Sequence, residues 1–229
     1  MDRRQALRNI GWGAGALIAT PTIISILQSC KEAGPTFTPA FITTGQGHAL
    51  RSMVDLIIPN DEQIPGAVAV GVHEFIDAYW NEVLAKNPED KADPFYKSSA
   101  TQEQQFVKDA FATFEASFKS TFNKDLSDGT SEDFDQLLAK YLKAPKEQQD
   151  TYEKNLWEYL GAMETDPNAS LDSDTQNYYL LSSIRGLTVW GWKTSEEIGE
   201  NVLWYDPVPG QQKGCIPLSE AGNGKDMSL

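Results

Sequence analysis

Phenylalanines recur along one stretch of the chain at intervals that suit a helix. Within "TQEQQFVKDAFATFEASFKSTFNK" (101–124) they are mostly three or four residues apart, at Phe106, Phe111, Phe114, Phe118 and Phe122. This spacing puts them on one side of an α-helix, whereas a strand would alternate its apolar residues at every second position. The stretch therefore predicts a long amphipathic helix whose broad apolar face packs on a core.

Other segments show the same helical periodicity, and none shows the alternation of a strand. They are "GHALRSMVDLIIP" (47–59), "GVHEFIDAYWNEVLAK" (71–86), "EDFDQLLAKYLK" (132–143), "KEQQDTYEKNLWEYLGAM" (146–163) and "DSDTQNYYLLSSIRGLTVWGW" (172–192). Pro59, Asn87-Pro88 and Ala144-Pro145 mark helix ends, and either Thr130 or Ser131 is expected to cap the fourth helix. We predict an all-α fold, an irregular orthogonal bundle of about six helices, forming a single domain over residues 46–229.

The C-terminal tail, residues 201–229, differs from the rest of the chain. Prolines at positions 207, 209 and 217 exclude a regular helix, yet the segment is rich in apolar residues, so we expect it to pack on its own domain or on another chain. Proline also lowers the cost of ordering such a segment on a partner. The residues predicted to contact a partner are Trp204, Tyr205, Asp206, Pro207, Val208, Pro209, Gly210 and Cys215.

The first 29 residues are organised like an export signal. Arg3, Arg4 and Leu7 resemble a twin-arginine motif, and the uncharged segment 10–27 is short for a membrane-spanning helix. "LQSC" (27–30) resembles a lipobox, which makes Cys30 the lipidated N-terminus of the mature chain. We therefore predict a signal peptide over 1–29 and a tether over 30–45. The alternatives are a lipoprotein exported by the general secretion route and an uncleaved anchor helix.

This interpretation places the protein in a bacterial cell envelope, on the periplasmic side, attached to a membrane by lipid after twin-arginine export. The net charge of −14 opposes binding to nucleic acid and to anionic lipid. Membrane attachment is therefore expected to come from the anchor at Cys30, since two acyl chains hold a protein stably where one does not.

Residues for catalysis, cofactor binding or metal binding are not found in a recognisable pattern. His73-Glu74 begins like a zinc-protease helix, but the position of the second histidine is Asp77. Cys30 and Cys215 are the two cysteines, so neither a disulfide framework nor a cysteine-rich metal site is expected. The aromatic pair in Trp190-Gly191-Trp192 is expected to pack in the core or, alternatively, to anchor a partner.

Two stretches resemble a known family. "LRSMVDLIIPNDEQIPGAVAVGVHEFID" and "WYDPVPGQQKGCIPL" are similar to the small subunit (subunit 3, or gamma) of membrane-associated gluconate 2-dehydrogenase-type complexes. The matching elements are Ile58-Pro59, Pro65-Gly66-Ala67, the Tyr-Asp-Pro-x-Pro-Gly run at 205–210, and Gly214-Cys215. The resemblance extends over most of residues 45–218.

The resemblance implies a non-catalytic accessory subunit. Its partner would be a flavin-dependent, GMC-type sugar or polyol dehydrogenase that holds FAD, with a cytochrome c subunit carrying haem c as a further partner. The small subunit would serve in co-export, anchoring and stabilisation, and would hold no cofactor itself. The alternatives are a stand-alone lipoprotein that binds a carbohydrate or another small ligand through its aromatic residues, and an enzyme in its own right.

Overall fold

A computed structural model describes residues 37–84, 94–163, 165–166 and 169–204, with the tail positions 210, 214–217, 219–220 and 222–227; for residues 94–102 only the backbone is described. The α-helices of this part are α1 (Thr44–Ile57), α2 (Val72–Ala78), α3 (Pro94–Phe122), α4 (Ser131–Leu142), α5 (Lys146–Met163) and α6 (Ser173–Lys193). Within the described ranges no strand is formed, and the predicted all-α fold of about six helices is confirmed.

Shorter helical segments link or follow these helices. α2 continues directly into a π-helical segment, Tyr79–Val83, and a second π-helical segment, Ile198–Val202, follows α6. A 3₁₀ turn, Leu126–Asp128, connects α3 to α4. π-Helical turns are uncommon and often occur near functional positions, because the extra residue turns the following side chains to new directions.

α6 is the central helix of the bundle. It contacts each of the other five α-helices, whereas α5 makes its main contacts with α6 alone. Along α6, Leu180, Leu181 and Ile184 are fully or almost fully buried. These residues, with the buried Tyr178, give α6 a broad buried face on which the other helices pack.

The predicted aromatic stripe of α3 lies in the core. Phe111, Phe114 and Phe118 are fully buried, and the Phe118 ring stacks on Phe134 of α4 at 5.1 Å between ring centroids. Gly129 passes directly beside these two rings, since a Cβ there would stand 2.4 Å from Phe134 and 2.8 Å from Phe118. The loop before α4 can therefore approach the core only because this residue has no side chain.

Local capping fixes where the helices begin. Thr43 caps α1 in a capping box with Gln46, and Thr130 caps α4 in the same way with Asp133. Of the two residues expected to cap α4, the structure selects Thr130. The Asp133 carboxylate also binds Lys124, and these hydrogen bonds lower its pKa to about 2.

The residues before α1 are attached to α2. The buried Asp77 carboxylate accepts hydrogen bonds from the backbone N–H groups of Ala40, Phe41 and Ile42. Phe37, a few residues earlier, packs edge-on against the His73 ring at 4.9 Å between centroids. The chain leading into α1 is thus fixed by side chains from α2, which is a contact between residues more than 30 positions apart.

Candidate partner-binding surface

α5 exposes apolar side chains that a single amphipathic helix would normally bury. Only Tyr152 of this helix is buried, while Trp157 is 71% exposed and Leu160 is 41% exposed. Scattered apolar residues are normal on a protein surface, but neighbouring ones on the same helix indicate a contact surface. The reason is geometric: among the described helices α5 packs mainly on α6, so part of its apolar stripe remains exposed.

Beside this exposed face lies a groove with a volume of about 710 Å³. Four elements of the bundle form its walls: the segment after α2, the first half of α3, the second half of α5 and the middle of α6. Its apolar lining residues are Tyr79, Trp80, Leu84, Phe106, Val107, Leu156, Leu160, Met163 and Leu187. We call this groove, with the adjoining Trp157, the apolar groove.

The floor of the apolar groove is held by contacts with the core and with α3. The Trp80 ring meets Phe111 of the core edge-on at 5.6 Å between centroids, and the Trp80 carbonyl accepts a 3.0 Å hydrogen bond from the Gln104 side chain. The π-helical hydrogen bond from the Leu84 N–H to the Tyr79 carbonyl holds two lining residues in place. A preformed wall loses little conformational entropy when a ligand binds.

Charged residues at the apolar groove are acidic. Glu103 and Asp109 line it, and Asp109 accepts a 2.8 Å hydrogen bond from Gln105, which also lines it. Among its described lining residues there is no lysine, arginine or histidine. The groove therefore combines an apolar floor with a negatively charged edge.

The two tryptophans of the Trp190-Gly191-Trp192 run have different environments. Trp192 donates its indole N–H to the Pro65 carbonyl at 2.9 Å and packs against the core. Trp190 is 44% exposed and meets Phe75 and Tyr79 edge-on. One tryptophan is thus a packing residue, and the other contacts Tyr79 at the end of the apolar groove.

Of the predicted contact residues in the tail, Trp204, Gly210 and Cys215 lie within the described residues. Trp204 is half-buried by residues near the C-terminus. Its backbone N–H donates to the Asp226 carbonyl at 2.7 Å, and Gly222 lies against its indole ring. Gly210 is exposed, and Cys215 is an exposed free cysteine with a φ of 54°. Residues 205–209 lie outside the described residues, as do Arg3, Arg4, Leu7 and Cys30.

His73 is a buried residue at the start of α2. Its Nδ1 has no hydrogen-bond partner, and burial lowers the pKa of its imidazole, although Glu74 opposes this effect. In the part of the chain that the structure describes, no three His, Cys, Asp or Glu side chains are grouped as metal ligands. None of the described helices is long and apolar enough to cross a membrane.

The family model for gluconate 2-dehydrogenase subunit 3 matches residues 44–210. The chain belongs to the gluconate 2-dehydrogenase subunit 3 family. The matched segment of this subunit 3 family member begins at the first residue of α1 and contains all six α-helices and the whole apolar groove. The chain matches no curated protein and no solved structure.

Membership in the subunit 3 family confirms the resemblance found in the sequence, and the family's name describes a subunit of a dehydrogenase complex. Sequence reasoning placed the candidate contact residues in the tail and did not find the apolar groove. A signal for it was present in α5, where Leu156, Trp157, Tyr159 and Leu160 are closely spaced around the helix. These residues extend over more of the circumference than packing against one neighbouring helix can bury.

Proposed function

We propose that this chain is the non-catalytic accessory subunit of an exported, membrane-associated dehydrogenase. The match to the gluconate 2-dehydrogenase subunit 3 family over residues 44–210 carries this proposal. The catalytic partner is a flavin-dependent, GMC-type dehydrogenase for a sugar or polyol, which holds FAD. A cytochrome c subunit with haem c accepts the electrons in the complete complex.

In this function the chain contributes export, attachment and stability to its partner. The segment with Arg3 and Arg4 directs the chain to the twin-arginine route, which transports folded proteins. The catalytic subunit travels as a passenger, and the lipidated Cys30 then holds the complex on the periplasmic side of a membrane. The exposed apolar surface supports a binding role, since a subunit that works in a complex must offer a contact surface.

Purification from native membranes tests the proposal. The full-length chain, tagged at its C-terminus, should copurify with a flavoprotein whose flavin fluorescence is measured and whose identity is read by mass spectrometry. A preparation of the tagged chain that contains no flavoprotein contradicts the proposed function. A melting temperature raised by a sugar in such a preparation would instead favour a stand-alone ligand-binding lipoprotein.

Export and attachment are tested separately. Changing Arg3 and Arg4 together to lysine should keep both this chain and the flavoprotein in the cytoplasm. Changing Cys30 to alanine should disrupt lipid-dependent membrane attachment. Export of the double-lysine variant at the wild-type level would contradict the twin-arginine route and would leave the subunit assignment in place.

A further inference from the structure

We infer that the apolar groove receives an amphipathic helix of the catalytic partner, and that lysine or arginine residues flank the apolar face of that helix. This inference rests on the proposed function and adds the surface and the chemistry of the contact. Three properties of the groove lead to it: its length, the exposed tryptophan at its side, and the sign of its charge.

The groove has the length of a short helical contact. On α5 its lining runs from Leu156 to Met163, and on α3 from Glu103 to Asp109. At 1.5 Å per residue each wall is about 10 Å long, which corresponds to about two turns of a helix. Helices that bind in grooves insert apolar residues spaced by three, four and seven positions, and such residues fit a groove of this length.

The apolar surface continues beyond the cavity. Trp157, at 71% exposure, stands on α5 between Leu156 and Leu160, both of which line the groove, but is itself outside the lining. A small molecule confined to the cavity would leave this indole exposed, whereas a protein segment lying along the groove would cover it. Tryptophan is also among the residues that contribute most to protein–protein binding.

The charge of the groove selects the partner. Glu103 and Asp109 favour a segment that carries positive charge, and they disfavour an acidic one. A second copy of this chain is a poor occupant, because each copy carries a net charge of −14 and the acidic edges of the two grooves would repel each other. A basic, amphipathic helix of a different subunit satisfies both the apolar floor and the acidic edge.

A matched pair of variants tests the apolar contact in the full-length chain, expressed with its partner and purified from native membranes. Leu160 and Val189 are both helical residues, 41% and 42% exposed, and Val189 does not line the groove. Leu160→Glu should lower the flavin retained per accessory subunit at least tenfold, and Val189→Glu should leave it unchanged. Because Trp157→Ala removes a side chain that is 71% exposed, it provides a second variant with little risk of misfolding and should show a loss of severalfold.

The acidic edge is tested in the same way. Changing Glu103 and Asp109 together to lysine should weaken flavin retention severalfold, while the same changes at the exposed Glu115 and Asp135 should have no effect. A photoreactive amino acid at position 157 should cross-link to a helical peptide of the flavoprotein that carries lysine or arginine beside its apolar residues.

The outcomes separate the two proposals. If the wild-type chain retains no flavoprotein, the proposed function fails, and the inference fails with it. If the wild-type chain and Leu160→Glu retain the same amount of flavin, the proposed function stands and the inference is wrong. A cross-link to a second copy of this chain, to lipid, to a quinone, or to an acidic segment of the flavoprotein would also overturn it.

Discussion

Asp77 of α2 accepts a 2.6 Å hydrogen bond from the Ala40 N–H, which attaches the chain before α1 to a helix 37 residues later. The same carboxylate accepts the N–H groups of Phe41 and Ile42 at 3.1 and 3.2 Å, and the residue is 3% exposed. A carboxylate with three backbone donors fixes the course of residues 40–42 against α2.

Replacing Asp77 by alanine should destabilise the protein, because three backbone N–H groups lose their acceptor. We expect the free energy of unfolding to fall by about 3 kcal/mol, the cost of losing charge-assisted hydrogen bonds at a buried position. Urea denaturation followed by circular dichroism measures it. Asp61 is the control: its carboxylate binds the N–H groups of Gln63 and Ile64 in an exposed loop, so Asp61→Ala should change the midpoint little. Equal losses in the two variants would contradict the structural role of Asp77.

His73 should make stability depend on pH in the mildly acidic range. Burial lowers its pKa below the ordinary value of 6.5, so the unfolded chain takes up a proton at a higher pH than the folded one. The contribution of the neutral imidazole is complete above about pH 6.5 and is lost progressively as the pH falls through that value toward the lowered pKa of the folded state.

The measurement is the unfolding free energy between pH 7.5 and pH 5, above the range in which most carboxylates titrate. His73→Gln should remove most of the pH dependence in this interval. A pH dependence that is unchanged in His73→Gln would show that other groups cause it.

The two glycines Gly129 and Gly186 should respond in opposite directions to alanine. At Gly129 a Cβ would meet the rings of Phe134 and Phe118, so the core has to shift, and we expect a loss of about 1–3 kcal/mol. At Gly186, exposed on α6, nothing lies within 4 Å of a Cβ, and alanine should stabilise the helix by about 0.8 kcal/mol. Thermal unfolding of both variants checks this, and a stabilised Gly129→Ala would show that the loop does not approach the core so closely.

The contact between the C-terminus and Trp204 depends on Gly222. Gly222 and Gly224 both have positive φ values, 53° and 79°, but only at Gly222 would a Cβ meet the Trp204 indole, at 2.3 Å. Gly222→Ala should therefore separate residues 222–227 from Trp204 and break the hydrogen bond to Asp226. Hydrogen exchange at the Trp204 amide should become faster in Gly222→Ala than in Gly224→Ala. Equal exchange rates in the two variants would mean that backbone strain alone governs this contact.

Local features of the fold were predictable from the sequence. The spacing of Phe111, Phe114 and Phe118 indicated both the helix and its buried face, because three- and four-residue intervals determine which side chains share a side. The cap of α4 was narrowed to Thr130 or Ser131, since hydroxyl side chains bind free N–H groups at helix starts. Both features depend on residues that are only three or four positions apart in the sequence.

Contacts between distant segments were not predictable in the same way. Nothing in the sequence around Asp77 shows that it binds residues 40–42. In the sequence, Asp77 was notable only because it stands where a zinc-protease motif has its second histidine. The apolar groove joins the segment after α2 with α3, α5 and α6, and it is open because α5 packs mainly on α6 among the described helices. Periodicity identifies an apolar face, but the arrangement of the helices decides whether another element covers it.

The central position of α6 also affects when the protein can fold. The other five α-helices share α6 as their common contact, and α6 is the last of them to be synthesised. Domains fold as units during or after synthesis, and this one lacks its main internal surface until residues 173–193 have left the ribosome. Until then the nascent chain holds helices whose apolar faces lack the helix that they share, so the core is completed only after α6 has been synthesised.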